Sequence, residues 1–161
     1  MAIKVGDRLP NATFTVMTAD GPKPKTTDDI FKGKKVVLFA VPGAFTPTCH
    51  KNHMPGFVQN FDKIKAKGID TVAVTAVNDV FVMDAWKKAS GADGKIEALA
   101  DGSGDFAKAI GMSLDLGARG LGTRSQRYSM LVDDGVVKSL NIEDAPGKAD
   151  ISGAENLLKG L

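Results

Sequence analysis

Residues 36–41, Val-Val-Leu-Phe-Ala-Val, form the longest apolar stretch of the chain, and Lys34 and Lys35 lead into it. A strand with one wet face alternates apolar and polar residues; this one does not. β-Branched and aromatic residues in unbroken order predict a strand buried on both faces, which needs helices above and below a largely parallel sheet. The stretch is far short of the roughly 20 apolar residues that a membrane helix requires.

The flanking segments agree with that layout. Met54, Phe57, Val58, Phe61 and Ile64 recur at helical spacing, Lys63, Lys65 and Lys67 load the last turns with positive charge, and Gly68 ends the helix. Thr71 to Val77 reads as a second buried strand, and Asn78-Asp79 caps a helix reaching about Ala89. Ile96 to Ala100 is a short strand and Asp105 to Ile110 a short helix. Gly117 to Gly122 is glycine-rich and reads as a loop. Tyr128–Val132 and Val136–Ile142 form a hairpin whose turn is supplied by Asp134-Gly135. A helix over residues 152–159 and a strand near Thr13–Met17 complete the order. Strands alternating with helices predict an α/β fold, a mixed central sheet with helices on both faces, and a length of 161 residues fits a single domain, 1–161. No GxGxxG follows the first strand and no GxxxxGK[ST] occurs anywhere, which removes dinucleotide and P-loop readings.

Composition narrows the function classes. Hydrophobic residues at 43% and charged ones at 25% describe a globular chain rather than a disordered one. A net charge of +2, from 21 basic and 19 acidic side chains, leaves no electrostatic footprint for nucleic acid or an anionic membrane. The first residues carry no apolar signal core and no Arg/Ser-rich transit pattern, so the cytoplasm is the expected location. A single cysteine excludes an intrachain disulfide, a CxxC motif and an all-cysteine zinc site. Its thiol is then structural or reactive.

That cysteine, Cys49, follows the buried strand within Pro42-Gly43-Ala44-Phe45-Thr46-Pro47-Thr48-Cys49. It stands at the start of a helix beyond the C-terminal end of a central strand, where open α/β sheets place their sites. Unpaired N–H groups and the positive helix end there favour a thiolate, although a lone cysteine also serves as a small buried hydrophobe. The two histidines, His50 and His53, both follow it closely. His53, four residues on, shares its helix face, so a Cys–His nucleophile pair is one reading; a buried histidine bonded to backbone is another. A metal site at Cys49 and His53 lacks a third ligand with any spacing signal, and no metal is expected.

The residues from Pro42 to Cys49 match the Pro-x-x-x-Thr-x-x-Cys signature of the peroxiredoxins. With His53-Met54-Pro55-Gly56-Phe57, Val77-Asn78-Asp79-Val80-Phe81-Val82-Met83 and Arg127-Tyr128-Ser129-Met130, the chain from about Lys4 to Leu161 resembles the peroxiredoxin-5 (type II, atypical) subfamily. The resemblance implies a thioredoxin-like fold and thiol-dependent reduction of hydrogen peroxide and organic hydroperoxides. It makes Cys49 the peroxidatic nucleophile, gives Thr46 the positioning of the peroxide, Arg127 the stabilisation of thiolate and transition state, and Pro42 the shielding of the sulfur. Arg119 and Arg124 are weaker candidates, and Phe45, Phe81 and Trp86 are core residues by default, with a pocket or dimer contact as the alternative. Many relatives carry a second, resolving cysteine; at the corresponding places this chain has Val74 and Ile151. Its sulfenic acid therefore needs an external thiol, with glutathione or glutaredoxin ahead of thioredoxin, and no prosthetic cofactor. A homodimer is expected from the resemblance. The competing readings are a redox-sensing thiol protein on the same fold and a Cys49–His53 hydrolase.

Overall fold

The computed structural model describes residues 2–145 and 147–161, and for Cys49 the backbone alone. The apolar stretch forms β3 (Lys35–Ala40), whose residues from Val36 onward are buried. It lies between β4 (Thr71–Ala76), parallel to it, and β8 (Tyr128–Asp133), antiparallel to it. With β1 (Thr13–Thr18), β2 (Gly21–Thr26), β5 (Ile96–Ala100) and β9 (Val136–Ile142), these make one seven-stranded sheet in the order β2-β1-β5-β4-β3-β8-β9. The mixed sheet is as expected, with β3 close to its middle.

Alternate residues of β3 feed two separate cores, as a period of two requires. Val37 and Phe39 point to one face and pack with α2 (Met54–Gln59), α3 (Phe61–Lys65), α4 (Val80–Ala89) and α6 (Ala154–Lys159) through Phe57, Ile64, Trp86 and Leu157. Val36, Leu38 and Ala40 point to the other, against α1 (Thr27–Phe31) and α5 (Asp105–Ala109) through Ile30, Phe31 and Phe106. Burial on both sides explains why the strand shows no polar alternation.

Three elements differ from the sequence reading. Pro22 and Pro24 lie inside β2, a segment for which no strand is expected; β2 is an edge strand, where a missing N–H costs no ladder bond on the open side. Thr26 and Asp29 then form a capping box that starts α1, also unexpected. The glycine-rich stretch is the tip of a small hairpin of its own, β6 (Ser113–Leu116) against β7 (Gly122–Ser125), with a 3-10 turn at Gly117–Arg119. The β8–β9 hairpin turns at Asp134 and Gly135 with φ of 50° and 80°, the backbone that an Asp-Gly pair favours.

Candidate active site

The site is assembled where β3 ends. Pro42 and Gly43 are buried there, and the chain then turns through Ala44 and Phe45 into a helical run over residues 47–59. The Ala44 N–H donates to the Asn78 side-chain oxygen at 2.9 Å, which ties this turn to the start of α4. Phe45 holds φ at 62°, a left-handed conformation that costs a non-glycine residue about 1 kcal/mol or more. A Cβ on Gly43 would lie 3.1 Å from the Thr46 methyl, so a side chain there would press Thr46 away by a few tenths of an ångström. The Thr46 hydroxyl donates to the Gly43 carbonyl at 2.6 Å. Its proton is thereby committed, and its lone pairs remain to accept a hydrogen bond.

Cys49 opens a π-helical turn, Cys49–His53, rather than an ordinary α-helical one. Pro55 accounts for it: proline lacks the N–H that would bond residue 51 and crowds that carbonyl, and a wider turn just before it relieves the conflict. The kink that a proline one turn into a helix would otherwise impose is thus absorbed as a π turn. The side chain of Cys49 lies outside the described residues.

The same turn fixes both histidines. His50 accepts at Nδ1 from the indole N–H of Trp86 at 3.1 Å, and its ring lies 5.5 Å from that of Phe45. His53 is buried between Phe39 and Phe57, with ring centroids 5.1 and 5.5 Å away. Arg127, just before β8, is 2% exposed, and its Nη1 lies 3.0 Å from Nδ1 of His53. A guanidinium only donates, so Nδ1 accepts and the imidazole proton sits on Nε2. Nε2 is 3.0 Å from the Ser152 carbonyl, to which it donates. Burial, reinforced by the charge of Arg127, pushes the pKa of His53 down to about 3. His53 is therefore the buried, backbone-bonded histidine of the second sequence reading, held neutral, and a partner of Arg127 as well.

Of the other candidates, Arg124 is engaged by the Leu121 and Val77 carbonyls at 2.8 and 3.0 Å and braces the loop beside Gly43. Arg119 is exposed in the 3-10 turn. Trp86 belongs to the core, but Phe45 and Phe81 do not: they are 49% and 64% exposed. Val74 is buried in β4 and Ile151 is partly exposed before α6. Among the described residues no group of three or more His, Cys, Asp or Glu side chains could hold a metal ion. Ser152 and Gly43 are not among the expected site residues; Gly43 occupies an unspecified position of the signature, and no local motif marks Ser152.

A thioredoxin-like sheet whose central strand β3 leads through Thr46 to a helix start that carries the one cysteine, with the buried Arg127 entering just before the neighbouring β8 and bonded to the same turn at His53, defines a thiol-dependent oxidoreductase. The redoxin family matches residues 4–158. Peroxiredoxin-2E of Arabidopsis thaliana, a chloroplastic protein, is 47% identical over 164 residues, covering 99% of this chain and 70% of its own. Reduced Prx3 of Vibrio vulnificus, solved in complex with H2O2, superposes with a TM-score of 0.93 at 49% identity, covering 98% of both chains. Peroxiredoxin 5 of Alvinella pompejana gives 0.84 at 38% identity, over 99% of each. The chain belongs to the redoxin family, as a type II, peroxiredoxin-5-like peroxiredoxin with a single cysteine, and is a thiol peroxidase.

Proposed function

We propose that the chain reduces hydrogen peroxide and organic hydroperoxides by a one-cysteine cycle centred on Cys49. The observation that carries this reading is that Arg127 is bonded to His53, the last residue of the π turn that Cys49 opens, three residues beyond Thr46. The Cys49 thiolate attacks one peroxide oxygen, the O–O bond breaks, and the departing oxygen takes a proton and leaves as water or alcohol. The sulfur, oxidised by two electrons, becomes a sulfenic acid. Thr46 accepts a hydrogen bond from the peroxide O–H, because its own proton is held by Gly43. Arg127 donates to the thiolate and to the oxygen on which negative charge develops. Pro42 shields the sulfur from bulk water.

With one cysteine in the chain, the second half of the cycle belongs to an external thiol. A first thiol condenses with the sulfenic acid to a mixed disulfide and releases water; a second attacks that disulfide and restores Cys49. Glutathione, alone or with glutaredoxin, is the reductant of choice because a small thiol reaches a site at a helix start, and the cytoplasm supplies it. A homodimer fits the exposed rings of Phe45 and Phe81, which stand on two segments joined by the Ala44–Asn78 bond. Steady-state peroxide consumption with glutathione, glutathione plus glutaredoxin, and thioredoxin separates the reductants. Turnover with glutathione and none in Cys49→Ser is expected; turnover with thioredoxin but none with glutathione reverses the choice.

A further inference from the structure

Arg127, His53, Ser152 and Glu143 form a closed circuit. The guanidinium donates to Nδ1 of His53 at 3.0 Å, and Nε2 donates to the Ser152 carbonyl at 3.0 Å. Ser152 is fully buried, and both its backbone N–H and its hydroxyl donate to one carboxylate oxygen of Glu143, at 2.8 and 2.7 Å. The other oxygen accepts from the Ile151 N–H at 3.2 Å. The backbone N–H of Glu143 then donates to the carbonyl of Arg127 at 2.9 Å, which returns the circuit to its start.

Each contact fixes the next. Two bonds of one ring demand the same histidine tautomer, with its proton on Nε2, and the Ser152 carbonyl can enforce that tautomer only while the loop carrying it is still. Three donors on the Glu143 carboxylate keep it still. The slot of His53 is otherwise apolar, lined by Phe39 and Phe57, both fully buried. A leucine would fill it without burying a polar ring, so packing alone does not call for a histidine there.

We propose that His53, Ser152 and Glu143 are positioning residues for the Arg127 guanidinium, which makes Glu143 and Ser152 part of the peroxidatic apparatus although they are distant from Cys49 in sequence. The proposal rests on the reading that Arg127 acts on the Cys49 sulfur. The histidine does not exchange protons with the peroxide in this arrangement; it sets where the guanidinium points.

The test compares the wild type with Arg127→Gln, His53→Leu, His53→Asn, Glu143→Gln and Ser152→Ala. Two quantities are read: the second-order rate of Cys49 oxidation by hydrogen peroxide, and the thiol pKa from the pH dependence of alkylation by iodoacetamide. Thermal melting establishes that each variant is folded. His53→Leu is expected to lose roughly 10- to 100-fold in rate, the usual cost of removing an outer-shell partner, and to raise the thiol pKa. His53→Asn places an amide oxygen where Nδ1 was and recovers most of that loss. Glu143→Gln and Ser152→Ala lose rate by smaller factors, with thiol pKa moving the same way. A folded His53→Leu with wild-type rate and thiol pKa overturns the proposal, as does an asparagine variant no better than leucine. Should His53→Leu not fold, Glu143→Gln and Ser152→Ala decide, and wild-type values in both overturn it. An unchanged rate in Arg127→Gln removes the underlying reading of the arginine, which is a separate outcome from failure of the circuit.

Discussion

Gly43 and Thr46 act as one unit, because a Cβ at residue 43 would crowd the Thr46 methyl at 3.1 Å. Threonine is stiff at χ1, so the few tenths of an ångström that a methyl on residue 43 demands are passed to its hydroxyl and to the 2.6 Å bond from it to the Gly43 carbonyl. Gly43→Ala is expected to slow Cys49 oxidation by peroxide roughly tenfold, approaching Thr46→Val, which removes the hydroxyl outright. Gly56→Ala is the contrast. Its added methyl meets no atom within 4 Å inside a helix, so the rate stays and stability rises by about 0.5–1 kcal/mol. Stopped-flow oxidation rates and urea melts of the three variants check this; a Gly43→Ala protein with the rate of the Gly56→Ala protein would separate the glycine from the threonine. Pro42, Thr46 and Cys49 stand out in the sequence because their spacing forms a recognisable motif, and Arg127 because it opens a second block that resembles the same family. Ser152 and Glu143 do not, because Ser152 meets His53 across 99 residues of chain and Glu143 holds Ser152 from 9 residues away, and such contacts leave no periodicity.

Among the elements, the π turn is the one most exposed to the chemistry. Its first residue is Cys49, its second is His50, and His50 holds the indole of Trp86, the one tryptophan of the chain. Any rearrangement of this turn when the sulfur is oxidised or carries glutathione must stretch or break that bond. Trp86 fluorescence is therefore expected to change after one equivalent of peroxide, with a rate proportional to peroxide concentration, and to return when glutathione restores the thiol. His50→Phe should abolish most of the change; emission constant through a full cycle would mean that the turn keeps its place. The turn itself was half visible in the sequence, where Pro55 announces a disturbed helix without saying how the backbone absorbs it. The edge hairpin was less so. Proline argues against a strand in general, and only the position of β2 at the rim makes Pro22 and Pro24 harmless. The central strands were read correctly because burial on both faces is written directly into their composition.

At the scale of the whole molecule, the site's buried polar groups link catalysis to acid stability. His53 has an ordinary value of 6.5 and is held at about 3 by burial and the charge of Arg127. At Glu143 burial raises the pKa, but the hydrogen bonds from Ser152 and Ile151 outweigh it, and the net shift is downward. In both cases the folded value lies below the unfolded one, so on acidification the unfolded chain takes up the proton first. The stabilisation is complete above the unfolded value and is lost as pH falls toward the folded one. For His53 the loss begins near pH 6.5 and runs at about 1.4 kcal/mol per pH unit; Glu143 adds to it below about 4.5. Asp101 works in the other direction, since burial raises its pKa despite the N–H groups of Phe106 and Ala107 that it caps, so the folded state holds its proton more tightly. The expected result is a net decline in unfolding free energy between pH 6.5 and 5, measured by urea denaturation, that is flattened in His53→Asn and untouched in that window by Glu143→Gln. An equal slope in the wild type and His53→Asn would place the acid sensitivity elsewhere and leave the neutral imidazole beside Arg127 without an energetic signature.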